Sequence, residues 1–583
     1  NATFLIALPV ILSALIIAPT WKRMLPVLLV IVLIIFSINS ETLLKSNRED
    51  RAKVIFTHWD AMAKLKIYDF DGFYRGIEID NVANSPIYPF DGDFNKPDSL
   101  KFSFGIDVSY LIQQFDSCTF LSLGAGGGTD VLQALQAGAT DVHAVEVNPY
   151  INFMMKDGEL AEYSGNIYND PRVKVITEDA RAYVRRHINQ FDVIYSLSSN
   201  TFAAFASGSF ALAENYLFTT EAFQDYWNAL SDSGFMMMEH QFYVPRLVTE
   251  FQDAMKELGI PNADDHFAVY DLPKMRRKIL FVSKQALTPE IRQNAFGELS
   301  SATFNDIHLL YPAADSLSDN LINRIVKEGW QQLQAESPIN ISPSTDDRPF
   351  SAQLGLWKNV QLSELKSVKP YEFFGFPLSR IIILIILAVV IVFILPLVLL
   401  PYALAGKKLK VIPWLYFFTI GMAFMMLEII LIQKYTLFIG PSAYTLIVIL
   451  TTLLIGSGIG SRFSAKTKDW MPFVGIVVWL LLDVTVFNGL KYYFGVLAIV
   501  PRMLITMILI LPLGFFMGMP FPKAVSRVAT LVDWGFAVNG IASTIGSTLI
   551  ILIAFNAGYT VSLMVAGFFY SMAYLLLRFR EKW

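Results

Sequence analysis

The sequence predicts a Rossmann-like α/β nucleotide-binding domain, with a small strand-rich lobe before it and a multi-pass α-helical transmembrane domain after it. Three observations predict this. Phe120 to Pro149 reads strand, glycine-rich turn, helix, strand, acid. Apolar stretches of about the length of a membrane span fill the first 40 residues and resume after Pro377. A hydrophobic content of 54% and a mean hydropathy of +0.46 exceed what a soluble enzyme carries. The expected division is 1–40, two transmembrane helices; 41–116, the strand-rich lobe; 117–300, the nucleotide-binding domain; 301–372, a linker; and 373–583, about seven transmembrane helices.

Ala2 to Pro19 and Leu25 to Asn39 flank Trp21-Lys22-Arg23 and read as a helical hairpin. A cleaved signal peptide is the alternative for the first stretch, and the immediate second one argues against it. The chain opens on Asn1 rather than Met, which leaves room for residues upstream. Val54 to Asp91 alternates apolar and polar residues between Gly and Asn punctuation, which predicts a small antiparallel sheet.

Phe120 to Leu123 then reads as a buried strand, and Gly124, Gly126, Gly127 and Gly128 as a tight turn that lets backbone approach a ligand. Val131 to Ala137 has helical apolar spacing, and the next strand, Val142 to Val147, carries Glu146 at its end. An acid there accepts hydrogen bonds from ribose hydroxyls. The G-x-G-x-G spacing favours a nucleoside ligand over a dinucleotide pyrophosphate. Arg172 to Thr177 reads as a third strand, followed by Glu178-Asp179-Ala180 opening a helix; Asp179 is expected at an adenine amino group, with a helix N-cap as the plain alternative. Phe191 to Tyr195 reads as a fourth strand, ending in Ser196 to Asn200. A helix over Thr219 to Leu230, a strand over Gly234 to Phe242, a helix over Leu247 to Leu258 and a hairpin over Phe267 to Ser283 complete a doubly wound, mostly parallel sheet.

Candidate spans then follow at 378–403, 412–437, 442–460, 472–490, 495–519, 536–556 and 559–577. Small residues at Gly456 to Gly460 and Gly540 to Ser547 suit close helix packing. Glu428, Asp483 and Asn539 fall inside spans, where an acid is a functional candidate and an interhelical hydrogen bond the plain alternative. Loop charge collects on one face (Lys22, Arg23, Lys407, Lys408, Lys410, Arg462, Lys466, Lys468, Lys523, Arg527, Arg578, Arg580 and Lys582), which the positive-inside rule makes cytoplasmic. A net charge of −4 gives no case for nucleic acid, the single Cys118 excludes an intrachain disulfide, and six histidines show no metal-ligand spacing. No metal is expected.

The segments GAGGGTD, AVEVNP, DPRVKVITEDARAYVR and ENYLFTTEAF resemble the spermidine synthase family and its S-adenosylmethionine methyltransferase relatives, over roughly Ser117 to Gly234. Thr345 to Phe350 (TDDRPF), GMAFMMLEIILIQKY, PLGFFMGMPFP and WGFAVNGIASTIGS are similar to segments of membrane-integrated members; the plain reading of TDDRPF is a capped turn. The resemblance implies S-adenosylmethionine, or its decarboxylated form, as a substrate held by Gly124, Gly126, Gly127, Gly128, Asp130, Glu146, Asp179 and Ala180. Polyamine synthases bind their amine with an aspartate in the glycine loop and another after the fourth strand. Here Gly127 and Ser196 to Asn200 stand at those places. Ser198, Ser199, Asn200, Glu214 and Tyr216 are the remaining catalytic candidates, Tyr216 through a cation–π contact with the sulfonium or else as core packing. A glycine at 127 would also remove a charge that repels the carboxylate of intact S-adenosylmethionine, and would leave backbone N–H groups for it.

Three functions follow from this pattern. The first is alkyl transfer that releases methylthioadenosine, to an amine or by cyclisation of the substrate itself. The second is methyl transfer to a lipid or quinone. The third is a transporter or sensor whose nucleotide domain only binds. The expected partners are a small-molecule substrate and the lipid bilayer, with a homo-oligomer left open. The expected location is the bacterial inner membrane. Loop charge places the soluble domain outside, whereas the cofactor places it in the cytoplasm.

Overall fold

The computed structural model describes residues 53–60, 62–79, 83–95, 108–197, 216–273, 276–294, 307–313, 319–360, 375–404, 406–440 and 443–579. The two N-terminal apolar stretches, and Ser198, Ser199, Asn200 and Glu214 among the candidate site residues, lie outside them.

Four strands, β1 (Lys53–Trp59), β2 (Lys64–Asp69), β3 (Arg75–Ile79) and β4 (Ala83–Ile87), form an antiparallel meander in sequence order. Its buried residues Leu65, Ile67 and Ile77 join the core of the domain that follows, so the lobe packs as part of that domain.

The main sheet has eight strands. These are β5 (Thr119–Leu123), β6 (Asp141–Glu146), β7 (Val173–Thr177), β8 (Phe191–Leu197), β9 (Leu230–His240), β10 (Phe267–Leu272), β11 (Arg277–Ser283) and β12 (His308–Tyr311), in the order β12-β10-β11-β9-β8-β5-β6-β7. From β9 to β7 the pairing is parallel, and β11, β10 and β12 add antiparallel strands at one edge. Helices α1 (Thr129–Gln136), α2 (Pro149–Lys156), α3 (Ala180–Val184), α4 (Thr220–Ala229) and α5 (Val244–Glu257) alternate with the strands, as parallel crossovers require. The fold is therefore the Rossmann-like α/β type. Apolar residues pack on both faces, with Phe120, Val131 and Val142 in one core and Leu121, Val145 and Ile194 in the other.

The stretch expected to be a linker differs. His308 to Tyr311 add β12 to the sheet beside β10, and Leu321–Glu328 (α6) buries Ile322 and Ile325 in the domain core. The segment belongs to the soluble fold because its apolar residues are spent there.

The C-terminal region begins with α7 (Leu378–Val389), which runs through a π-turn at Val390–Ile394 into Leu395–Leu404. Among the described residues, five helices are long and apolar enough to cross a membrane: Val411–Ile439, Tyr444–Lys466, Met471–Phe494, Ile499–Val528 and Val532–Arg578. We label α8 (Val411–Ile439), α9 (Ala443–Phe463), α10 (Met471–Phe494), α11 (Ile499–Met517) and α12 (Val532–Arg578). Helix α12 has 47 residues, but Gly558 sits at φ 83°, ψ 178°, so two helical arms meet there at a bend. Leu384, Phe393, Leu454, Leu481, Ile508 and Phe568 point outward, an apolar surface that suits a bilayer. Inside, α8 and α12 approach closely: a Cβ on Gly546 would lie 2.7 Å from the Met422 carbonyl oxygen. Asn539 donates to the Phe417 carbonyl across the same seam, the plain interhelical role. Asp483 is buried and accepts from Lys434 Nζ (2.6 Å) and the Tyr435 hydroxyl (2.7 Å).

The soluble domain meets one end of these helices. Lys491 of α10 pairs with Asp346, and Arg502 of α11 lies 3.2 Å from Glu178. The Asp347 carboxylate accepts from the backbone N–H (2.9 Å) and hydroxyl (2.7 Å) of Thr560, just past the bend of α12. The opposite end carries Lys523 and Arg527 around Asp469, and Arg527 also donates to the Leu577 carbonyl there.

Candidate functional site

Strand β5 stops at Leu123 because the next residues leave the sheet. Gly124, Gly126 and Gly128 take φ values of 80°, 50° and 71°, and Gly128 then caps α1. The turn is tied to β6: the N–H groups of Gly124 and Ala125 both donate to the Val145 carbonyl, at 2.9 and 3.0 Å. The Glu146 side chain, almost fully buried, grips both sides. One carboxylate oxygen accepts from Gly126 N (3.2 Å) and the other from Asn148 N (2.9 Å). Burial pushes its pKa up, against the pull of those N–H groups. Each carboxylate oxygen has two acceptor positions, so a vicinal diol still finds two acceptors here. Asn148 caps α2 and donates to Asp60 of the lobe at 2.9 Å.

The lobe closes the turn from above. Ser85 Oγ accepts the Gly127 N–H at 2.8 Å, and Thr129 Oγ1 donates to the Pro86 carbonyl at 2.9 Å. A Cβ on Gly127 would sit 2.6 Å from Pro86 O and 2.7 Å from Ile87 Cγ1. The N–H of Gly127 thus donates to Ser85, and β4 crosses so close over this residue that it leaves no room for a side chain.

Asp130, in the first turn of α1, is buried and accepts from Ser122 Oγ of β5. Burial, with a smaller contribution from Glu239, raises its pKa to about 6. Glu239, Tyr195 and Tyr168, which sequence reasoning missed, surround this acid. Glu239 closes β9, accepts from the Tyr195 hydroxyl at 2.6 Å, and pairs with Arg277 at 2.9 Å. Tyr168 is buried and donates to Gly126 O at 3.0 Å; its hydroxyl is held protonated by burial and by the charges of Asp130 and Glu146. The one available signal was an acid ending the apolar run of β9.

Asp179 is the N-cap of α3, accepting from Ala182 N at 2.8 Å. Its Cβ also lies 3.6 Å from where a Cβ of Gly440, at the end of α8, would stand. Ala180 is buried in the core behind it. The end of β7 thus abuts the membrane helices. Tyr216 packs against those helices, its hydroxyl donating to the Gln433 carbonyl at 2.7 Å, which is the packing role. His240 accepts from Phe242 N and Tyr243 N, and burial lowers its pKa to about 3, so it stays neutral and is no general base near neutral pH. Among the described residues no group of three metal-ligating side chains occurs.

No family model and no curated protein matches the chain. Solved structures do. A spermidine synthase in complex with the transition-state analogue AdoDATO is 18% identical, covers 43% of this chain and 78% of its own, and has a TM-score of 0.30. A spermidine synthase from Thermotoga maritima is 19% identical, covers 43% and 79%, and has a TM-score of 0.31. TM-scores this low give the overlays no bearing on function.

Proposed function

We propose that the protein is a membrane-bound transferase of spermidine synthase type. It binds S-adenosylmethionine, or the decarboxylated form, at the glycine turn and cleaves the bond from sulfur to the amino-acid chain. A neutral amine, or the substrate's own amine or carboxylate, attacks the carbon next to sulfur. The C–S electron pair leaves with methylthioadenosine, and an amine nucleophile gives its proton to a base. The observation that carries this reading is the Glu146 carboxylate, fastened to Gly126 N and Asn148 N with acceptor capacity left for a ribose. Asp130, with a pKa near 6, is suited to bind an ammonium and take up a proton. Asp179 is proposed for the adenine amino group.

A second reading is methyl transfer to a membrane-borne acceptor such as a lipid or quinone. It is favoured by Gly440 of α8 beside Asp179 and by Arg502 of α11 beside Glu178, which bring membrane helices to the strand ends.

The test is incubation of the full chain, in detergent or nanodiscs, with each form of the sulfonium, alone and with putrescine, followed by identification of the adenosyl product. Methylthioadenosine is the expected product. S-adenosylhomocysteine would favour the second reading, and bound but unchanged ligand a binding-only role. Undetectable binding, or binding untouched by Glu146→Ala, would sink the adenosyl site itself.

A further inference from the structure

At the seam between the soluble domain and the membrane helices lies a cavity of about 140 Å³ with three arginines in its wall: Arg246 of α5, Arg348 of the Thr345–Phe350 segment and Arg380 of α7. Asn340, Phe555 and Asn556 complete much of the lining. The volume has room for several waters or one tetrahedral oxyanion. The guanidiniums are held from behind. Arg246 donates from Nη1 to the carbonyls of Phe350 (3.1 Å) and Ser351 (2.8 Å), and from Nη2 to that of Gln353 (3.3 Å). Arg380 donates to the Gly355 carbonyl at 2.7 Å and Arg348 to the Pro343 carbonyl at 3.1 Å. Arg246 is only 2% exposed, and its Nε–H, buried, has no hydrogen-bond partner among the described residues.

Among the described residues, Glu250 faces Arg246 and Asp347 faces Arg348. Burial raises the pKa of Glu250 to about 8, so near neutral pH it is mostly uncharged, while Asp347 is engaged by Thr560. Burial, and the repulsion of Arg348 and Arg380, lower Arg246 to about 10, despite Glu250. Arginines gathered at one polar, partly open space offer an anion several charge-assisted contacts at once.

We propose that Arg246, Arg348 and Arg380 form a binding site for a phosphate group, either the headgroup phosphate of an anionic lipid or a free phosphate. Guanidinium forks match phosphate oxygens in charge and geometry. The depth fits a headgroup, since Arg380 lies in the first turn of an apolar helix and Phe555 and Asn556 immediately precede the bend of α12.

Thermal unfolding of the full chain in zwitterionic nanodiscs, titrated with inorganic phosphate, tests the free-anion source. Nanodiscs containing phosphatidylglycerol, with native mass spectrometry for retained lipid, test the headgroup source. The expected result is a saturable rise in Tm in at least one arm, beyond that from sodium chloride of equal ionic strength. Arg348→Gln, which leaves the main-chain clamps of Arg246 and Arg380 in place, is expected to weaken half-saturation about tenfold, one lost charge-assisted contact. Absence of any wild-type response in both arms overturns the proposal whether or not the variant folds. An equal response in Arg348→Gln overturns it too.

Discussion

Arg181, buried in α3 beside the candidate adenine residue, is forked onto Asp346, a residue of the segment that reaches the membrane helices. Nε of the same guanidinium holds Asp225 at 2.7 Å, and Lys491 of α10 adds a second cation to Asp346. Burial opposes the Asp346 charge, yet Arg181, Lys491 and Arg185 outweigh it and hold the carboxyl well below its ordinary range. An acid with a depressed native pKa contributes stability above its unfolded value, and that stability is lost as pH falls through the native one. Asp346→Asn is therefore expected to cost about 3–5 kcal/mol near pH 7, because it strands buried cations. Denaturant unfolding in detergent at pH 7 checks this; a loss below 1 kcal/mol would mean the network is solvated.

Asp130 gives the opposite pH dependence. Its native pKa, near 6, lies above its ordinary 3.8, so the folded state binds the proton more tightly. Stability then falls as pH rises from about 4 to 6, by up to about 3 kcal/mol. Asp130→Asn is expected to remove that slope and to raise Tm at pH 7 while lowering transferase turnover. Unfolding curves of both proteins at pH 4.5 and pH 7 make the comparison. An unchanged slope would show that another group titrates there.

Much of this was legible in the sequence, and the missed parts share a cause. The glycine turn and Glu146 are 20 positions apart and belong to one local βαβ unit, whose periodicity announces itself. Glu239 and Arg277 come together only because β9 and β11 pair, and the Tyr216 hydroxyl finds a carbonyl 217 positions away in α8. β12 is four residues long and half-buried, too short for an alternating pattern to register. The sequence shows the charge missing at Gly127 but not the close approach of Pro86, 41 positions earlier.

That approach has its own consequence. With Pro86 O 2.6 Å from any Cβ, Gly127→Ala must push β4 outward, and Gly127→Asp more so. Overpacking of this kind costs about 1–3 kcal/mol. The expected outcome is a lower Tm for both variants, with Gly127→Asp losing affinity for both forms of the sulfonium rather than switching between them. A preserved Tm together with a switch in preference would restore the charge explanation.

The helices set the side of the membrane on which this site lies. The soluble domain touches the ends marked by Gly440, Lys491, Arg502 and Gly558, whereas Asp469, Lys523 and Arg527 cluster at the other end. The short loops there also hold Lys407, Lys408, Lys410, Lys466 and Lys468, and short loops are where the positive-inside rule has most force. By that rule the glycine turn is expected outside the cytoplasm. The native Cys118 is buried, with a thiol pushed up to about 12, and gives little labelling background. In intact cells an impermeant maleimide is expected to label Glu159→Cys, on the exposed surface of the soluble domain, and to spare Lys407→Cys. The reverse pattern would put the site beside the cytoplasmic pool of S-adenosylmethionine. The expected pattern would instead require an adenosyl ligand that reaches the site from outside the cytoplasm.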